Sequence, residues 1–210
     1  MEKERPYKLL SPIMRGLFKL YYSPKIINKE VIPKEGSIVI AGNHKHLFDQ
    51  CPTICATKRV IHYMAKKEYF DGKVAWFFKL AGCIPVDRSK KDTNATNRAL
   101  DVLRHGGAIG IFPEGTRNKK KDVLLLDLKF GAVSMAQKTD SYVIPVAVTG
   151  EYKFRSKTLM IRYGKPFKVG DDLAKANEKL RKEIEKLIKI NLKETGFTME
   201  QELNTHKEVK

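Results

Sequence analysis

The chain alternates short apolar runs with longer segments of helical periodicity. Six runs are rich in Ile, Val and Ala and are bounded by Gly, Pro or polar residues, which is typical of buried strands. These runs are residues 37–41, 60–65, 84–86, 108–112, 142–148 and 158–163. The intervening helical segments are residues 73–80, 94–104, 130–137 and 171–193. Strands that alternate with helices predict an α/β fold, a single domain in which helices flank a mixed, mostly parallel sheet.

The length and the local composition predict how the chain is divided. A chain of 210 residues fits one domain, and the strand and helix pattern places it at residues 31–195. Residues 1–30 precede it as a separate N-terminal segment. Residues 196–210 form a polar tail, and we expect residues 198–210 to be frayed.

The N-terminal segment contains an amphipathic helix at residues 7–22. Its apolar residues recur at intervals of three and four, while Lys8, Arg15 and Lys19 lie off that stripe. Such a helix could lie in a membrane interface, or it could pack on its own domain, because surface helices of globular proteins are also amphipathic. In the first case the residues that enter the membrane are Leu10, Ile13, Met14, Leu17 and Phe18. No apolar stretch reaches the roughly 20 residues that a membrane-spanning helix needs.

The excess of basic over acidic side chains lies entirely in the first 170 residues. The net charge of the chain is +17, yet residues 171–210 hold nine basic and nine acidic side chains. Such a charge indicates an anionic partner (a nucleic acid, a membrane surface or a phosphorylated substrate) unless it serves solubility alone. Aromatic residues interleaved with cations, as in nucleic-acid-binding surfaces, are not found, so we expect no nucleic acid partner.

Residues that could perform acid–base chemistry follow the first predicted strand. His44 and His46 both lie within five residues of Asp49, and a carboxylate beside an imidazole is the arrangement of a general base. The spacing alone leaves either histidine possible. A metal site is a weaker alternative, with the ligands His44, His46, His62 and Asp49.

Two further segments place phosphate-binding side chains after predicted strands. Arg88 and Arg117 carry guanidinium groups suited to a phosphate. Next to Arg117, Gly115 would let the backbone approach a ligand, while Thr116 offers a hydroxyl and Glu114 could bind a hydroxyl or hold a cation.

The cysteines favour packing over chemistry. Their number is odd, which excludes a complete disulfide framework and predicts reduced thiols in a cytosolic protein. Cys51 and Cys55 are four residues apart. A nucleophilic role is conceivable, but this spacing fits the buried face of a helix better.

Four segments in order resemble the conserved blocks of the glycerolipid acyltransferases. The first is Asn43-His44 followed after four residues by Asp49, which matches an NHx₄D motif. The second is residues 84–88, the third residues 112–117 and the fourth residues 143–146. The resemblance extends over residues 37–164, and four blocks in the expected order make it specific.

The resemblance implies an enzyme that moves a fatty acyl chain from a thioester to a glycerol hydroxyl. The donor would be acyl carrier protein or coenzyme A, and no metal or cofactor would be needed. The acceptor would be lysophosphatidate at its sn-2 hydroxyl, with glycerol 3-phosphate or a lyso-ornithine lipid as the alternative. The enzyme would then be peripheral, on the cytoplasmic face of the cell membrane, where its cations meet anionic lipid.

The same resemblance assigns roles to residues. His44 is implied as the general base and Asp49 as the residue that orients it. The phosphate and glycerol of the acceptor are implied to contact Lys66, Arg88, Glu114, Gly115, Thr116 and Arg117. One departure from the family is the sequence Lys-His-Leu-Phe at positions 45–48, where many members have Gln or Thr followed by Ser. We expect Lys45 either to depress the pKa of the base or to help hold phosphate.

Overall fold

The structure is a computed structural model that describes residues 5–87, 89 and 92–206, and the side chains from Tyr7 onward in the first helix. Seven α-helices form in this part of the chain. They are α1 (Arg5–Tyr22), α2 (Cys51–Ala56), α3 (Ala75–Leu80), α4 (Thr93–Arg104), α5 (Gly131–Lys138), α6 (Leu173–Thr195) and α7 (Met199–Asn204). None of the described helices has the length and apolar content to cross a bilayer.

Eight strands form one sheet, in the order β1-β7-β6-β2-β5-β3-β4, with β8 paired to β6. The strands are β1 (Lys25–Ile27), β2 (Ile38–Gly42), β3 (Ile61–Lys66), β4 (Ile84–Val86), β5 (Ala108–Ile111), β6 (Tyr142–Thr149), β7 (Met160–Tyr163) and β8 (Phe167–Lys168). Five of the seven pairings are parallel, and only β6 with β7 and β6 with β8 are antiparallel. The predicted α/β class and mostly parallel sheet are therefore confirmed.

Alternating side chains of the central strands build two apolar layers. On one face, Val39 and Ala41 of β2 pack with Ile109 and with helices α4, α5 and α6. On the other face, Ile38 and Ile40 belong to a second cluster that the end of α1 and α2 help to cover. Because both faces of the central strands are buried, the strands have the continuous apolar sequences that parallel sheets require.

The parallel pairing places two of the predicted site segments at one edge of the sheet, together with a loop that the sequence did not single out. Strands β2, β5 and β6 are parallel neighbours, so the loops that follow them leave the same edge. Residues 43–49 follow β2, residues 112–118 follow β5, and residues 150–152 follow β6.

The C-terminal segment differs from the expected frayed tail. Residues 199–204 form α7, and a capping box with Thr198 and Gln201 starts this helix. Glu202 and His206 are buried against the domain. For residues 198–206 the prediction of a frayed tail was wrong because it relied on polar composition, whereas these polar residues have buried partners. Residues 207–210 lie outside the described residues.

Helix α1 lies on the domain with one side and leaves the other side exposed. Tyr7 and Ser11 are buried, and the Arg15 side chain donates to the carbonyl oxygens of Ile54 and Thr57 at the end of α2. These bonds supply partners for carbonyls that a helix end leaves unpaired. Arg15 therefore fastens α1 to the domain.

Of the five candidate membrane residues on α1, the structure exposes two. Ile13 and Leu17 are exposed, whereas Leu10, Met14 and Phe18 are half-buried toward the domain. The exposed apolar row is continued by Leu9 and Leu20 at helical spacing, and these four side chains keep 59% to 80% of their surface accessible. The predicted stripe therefore divides into a packed side and an exposed side.

Candidate active site

Asn43 is the first residue of the loop after β2, and its side chain continues the hydrogen bonding between β2 and β6. Its side-chain amide donates to the Val148 carbonyl and accepts from the Val148 backbone N–H, at 2.9 and 2.8 Å. The side chain is buried, so both bonds form away from water. Asn43 thus fixes the point at which the next residue, His44, leaves the sheet.

His44 and Asp49 form a hydrogen-bonded pair. The His44 Nδ1 and Asp49 Oδ2 atoms are 2.9 Å apart. The His44 ring also stacks on the ring of Phe112, with 4.1 Å between centroids and 10° between planes. Of the two histidines that the spacing left open, it is His44 whose ring meets the Asp49 carboxylate.

The Asp49 carboxylate is buried and accepts four hydrogen bonds. Oδ2 accepts from the backbone N–H groups of Lys45 and His46, both at 2.7 Å, and from the His44 ring. Oδ1 accepts from the Tyr152 hydroxyl at 2.8 Å. Burial alone would raise the pKa of Asp49, but the hydrogen bond and charge of His44, with the His46 backbone bond, hold this pKa below its usual value.

The ionised carboxylate determines the tautomer of His44. Asp49 can only accept, so the proton must lie on Nδ1, and Nε2 keeps its lone pair. This is the tautomer that a general base needs.

His46 occupies a different environment. Its ring stacks on Tyr152 at 4.2 Å between centroids, and its Nδ1 accepts from the Phe48 backbone N–H. Burial lowers the pKa of His46, and the neighbouring Asp49 charge only partly opposes this. We therefore expect His46 to be neutral and held by packing.

Glu114 and Asn118 connect the loop after β5 to His44. Glu114 is buried, and its two oxygens accept from the His44 backbone N–H at 2.6 Å and the Leu126 N–H at 2.8 Å. Burial raises the pKa of Glu114 to about 7, against the lowering effect of these two bonds. The Asn118 backbone N–H donates to the His44 carbonyl at 2.6 Å. The structure shows Glu114 engaged by backbone, and its implied contact with the acceptor stays a prediction.

His44 and Phe112 lie between two cavities. One cavity, of about 330 Å³, is lined mainly by apolar and aromatic side chains, among them Ile54, Phe77 and Phe78. The other, also of about 330 Å³, is lined by Asp87, Gly115 and Lys129 together with apolar residues, among them Met64, Val86 and Ile111. Both cavities include His44 and Phe112 in their walls.

The predicted acceptor-binding residues are distributed around these cavities. Thr116, Arg117 and Lys66 line the apolar cavity near His44, and Lys66 also pairs with Glu68 at 2.9 Å. Within the described part of the chain, no salt bridge neutralises Arg117. Arg88 lies outside the described residues.

Gly115 adopts a conformation that favours glycine, at φ +72°. A Cβ at this position would meet the Lys129 side chain at 2.8 Å. The Lys129 side chain therefore lies against the Gly115 backbone, and it lines the same cavity as Asp87. Lys129 is therefore a cation near the site that the sequence did not single out for binding.

Lys45 points away from the cavities that His44 lines. Its Nζ donates to Glu202 Oε1 at 2.5 Å, to the Gly150 carbonyl at 2.6 Å and to Thr205 Oγ1 at 3.0 Å. All three protons of the ammonium group therefore have protein acceptors. The expectation that Lys45 would hold a phosphate does not fit this geometry.

The cysteines are free thiols, and burial raises their pKa. The pKa is about 12 for Cys51 and Cys83 and about 11 for Cys55. Thiols with such pKa values stay protonated at neutral pH, so they are poor nucleophiles. Among the described residues, no group of three His, Cys, Asp or Glu side chains is placed to hold a metal ion.

Comparison with known proteins gives consistent matches. A family model described as "Acyltransferase" matches residues 23–149. A 1-acyl-sn-glycerol-3-phosphate acyltransferase of Bacillus subtilis is 30% identical over 171 residues, which are 79% of this chain and 84% of that protein. A protein of the same name from Borreliella burgdorferi is 30% identical over 149 residues, 66% of this chain and 56% of that protein.

A solved structure has the same fold. The crystal structure of the 1-acyl-sn-glycerophosphate acyltransferase PlsC from Thermotoga maritima matches with a TM-score of 0.69. The match covers 91% of this chain and 80% of that chain, at 22% sequence identity.

Proposed function

The chain belongs to the acyltransferase family, and we propose that it acylates lysophosphatidate at the sn-2 hydroxyl to give phosphatidate. The observation that carries the proposal is the position of His44, which pairs with Asp49 and lines two cavities at once. A transferase with two substrates needs a base where both meet. The relatives in the comparison act on this acceptor by name.

In the proposed reaction, His44 Nε2 removes the proton from the acceptor hydroxyl. The hydroxyl oxygen attacks the thioester carbonyl carbon, and Asp49 stabilises the imidazolium that forms. The C–S bond then breaks, and the leaving thiolate takes the proton from His44. The thioester supplies all the chemistry that the transfer requires, so the proposal includes no cofactor.

The cavity walls suit both parts of this reaction. The apolar walls around Phe77 and Phe78 fit a fatty acyl chain, whose burial is favourable by about 0.8 kcal/mol per methylene. Arg117, whose charge no described carboxylate neutralises, lies in the wall of the same cavity and fits the acceptor phosphate. The thioester donor would be either acyl coenzyme A or acyl carrier protein.

An acceptor panel tests this function. The purified protein is supplied with phospholipid vesicles and one acyl chain, as coenzyme A or carrier-protein thioester. Lysophosphatidate, glycerol 3-phosphate and a lyso-ornithine lipid are the acceptors. We expect acylation of lysophosphatidate, and activity only on the acceptor without phosphate would overturn the proposal.

The adjacent histidine provides the matched control for the base. General-base catalysis contributes about 10²- to 10⁴-fold, so His44→Ala should lose at least that factor in kcat. His46→Ala should stay within tenfold of the wild type. The opposite order would show that the base is His46.

We also propose that the exposed side of α1 docks on anionic membrane lipid. Leu9, Ile13, Leu17 and Leu20 face solvent on a chain whose net charge is +17. Val74 and Trp76, at the start of helix α3, are exposed as well, and α3 lines one cavity together with α1. Apolar side chains with surrounding cations suit the interface of an anionic bilayer, at its cytoplasmic face.

Vesicle binding tests the docking surface. The double variant Ile13→Glu with Leu17→Glu removes two apolar side chains whose burial in the bilayer would be favourable by about 3 kcal/mol. We therefore expect it to lose most of its binding to anionic vesicles. The matched control is Ile190→Glu on α6, which changes an exposed isoleucine elsewhere. Unchanged binding of the double variant would place the docking surface elsewhere on the protein.

A further inference from the structure

The loop that carries His44 is held by three elements of the fold. The Asn43 side chain ties its start to β6, and Glu114 ties the His44 backbone to the loop after β5. The third tie is the Lys45 side chain, which reaches α7 at the C-terminal end of the described chain. The first two ties involve residues of the sequence motifs, whereas the third joins residues that are 157 positions apart in the chain.

We propose that Lys45 and Glu202 are a positioning pair, through which α7 fixes the orientation of the His44 base. Lys45 is the residue next to His44, and its backbone N–H donates to Asp49 Oδ2 at 2.7 Å. Its ammonium group is 2.5 Å from Glu202 Oε1. One residue therefore joins the partner of the base to α7.

Burial makes this pair a strong restraint on the loop. The side chains of Lys45 and Glu202 expose only 1% and 2% of their surface. A buried ion that loses its partner is strongly unfavourable, so neither side chain can leave without the other. The second oxygen of Glu202 accepts from the Gly150 N–H at 2.7 Å, and Lys45 donates to the Gly150 carbonyl, so the pair also fixes the backbone after β6.

The residues that follow α7 reach the loop after β5 as well. His206 is buried, and its Nδ1 lies 2.9 Å from the Lys120 carbonyl oxygen. Lys120 lies three residues after Arg117, the candidate phosphate ligand. The residues from Glu202 to His206 thus contact both loops that build the site.

Replacing the pair with apolar residues separates positioning from stability. A buried ion pair can often be exchanged for apolar side chains of similar volume without loss of stability. We therefore expect Lys45→Met with Glu202→Met to fold, with a melting temperature lowered only by the loss of the bonds to the Gly150 N–H and carbonyl. Because the restraint is gone, kcat should fall at least tenfold while the KM for the acceptor changes less than threefold. Wild-type kcat in the folded double variant would overturn the proposal.

Conservative and remote variants control this experiment. Lys45→Arg keeps the charge and should retain more activity than Lys45→Met. Glu194→Gln, on α6, removes a carboxylate that pairs with Arg162 of β7 and has no contact with the His44 loop. Glu194→Gln should lower the stability of the protein without changing kcat. If Glu194→Gln and Glu202→Gln lost kcat to a similar extent, the role of the Lys45–Glu202 pair would be purely structural.

The inference rests on the proposed function, and a measurement without turnover keeps the two apart. The hydrogen bond between His44 Nδ1 and Asp49, followed by NMR in protein with isotope-labelled histidine, reports the orientation of the base directly. We expect the signal of the Nδ1 proton to shift or broaden in Glu202→Gln and in Lys45→Met, and to stay unchanged in Glu194→Gln. Failure of acyl transfer together with these changes would overturn only the function, whereas an unchanged signal in both variants would overturn the positioning pair.

Discussion

Replacing Asp49 by Asn removes one charge from the site and leaves the shape of the side chain. The amide oxygen is expected to take the place of Oδ2, because the backbone N–H groups of Lys45 and His46 both need an acceptor there. The amide nitrogen then faces the Tyr152 hydroxyl, which can accept as well as donate. The His44 ring therefore keeps its Nδ1 acceptor and its tautomer, and the variant should fold.

The loss in rate follows from the charge that the variant lacks. The His44 and Asp49 charges are centred about 4 Å apart, where an effective dielectric constant of about 20 gives an attraction of about 4 kcal/mol. This attraction stabilises the imidazolium of the transition state, and each 1.4 kcal/mol corresponds to about tenfold in rate. We expect Asp49→Asn to lower kcat by about 10³-fold.

Steady-state kinetics test this reasoning. Asp101→Asn, which removes an exposed carboxylate from α4, is the matched control and should leave kcat unchanged. A kcat within tenfold of the wild type would refute the role of the Asp49 charge.

Three more outcomes test neighbouring features of the site. Tyr152→Phe removes one of the donors to Asp49, so kcat should fall about tenfold, in line with the value of a hydrogen bond to a charged group, while Tyr142→Phe, an exposed control, should not change it. Burial raises the pKa of Glu114 from 4.5 to about 7, so the free energy of unfolding should fall by about 3 kcal/mol as the pH rises through this range. Urea titrations at several pH values should show a flatter dependence for Glu114→Gln, and an equally steep one would contradict the assignment. Cys51, whose pKa is about 12, should react slowly with iodoacetamide at neutral pH, and Cys51→Ala should keep the activity.

The sequence predicted the parts of the fold that local patterns determine. The six predicted strands and the helices between them match the structure, because apolar runs bounded by Gly and Pro are local signals. Strands β1 and β8 were missed. They have three and two residues, and β1 exists only because it pairs with β7, more than 130 residues later in the chain.

The contacts that set the geometry of the site were beyond local patterns. Asp49 meets Tyr152 across 103 positions and Lys45 meets Glu202 across 157. Tyr152 belongs to no pattern in the sequence that would indicate its contact with Asp49. The position of Lys45 next to His44 in the sequence suggests that the Lys45 charge lies near the base, whereas its ammonium group binds Glu202. Successive side chains of an extended loop point in different directions, so the neighbour in sequence is not the neighbour in space.

The apolar stripe of the first helix divides between a side that packs on the domain and a side that faces solvent. The sequence left open whether the apolar stripe of α1 packs on the domain or meets a membrane. In the structure Tyr7 and Ser11 are buried, while Leu9, Ile13 and Leu17 face solvent. The apolar stripe of α1 is too wide for the contact with the domain to bury all of it. Full burial of a leucine or isoleucine side chain is favourable by about 2 kcal/mol. The exposed row therefore has several kcal/mol to gain from an apolar environment, and the domain already holds the other side of the helix in place, so the proposed docking on lipid requires no change of fold.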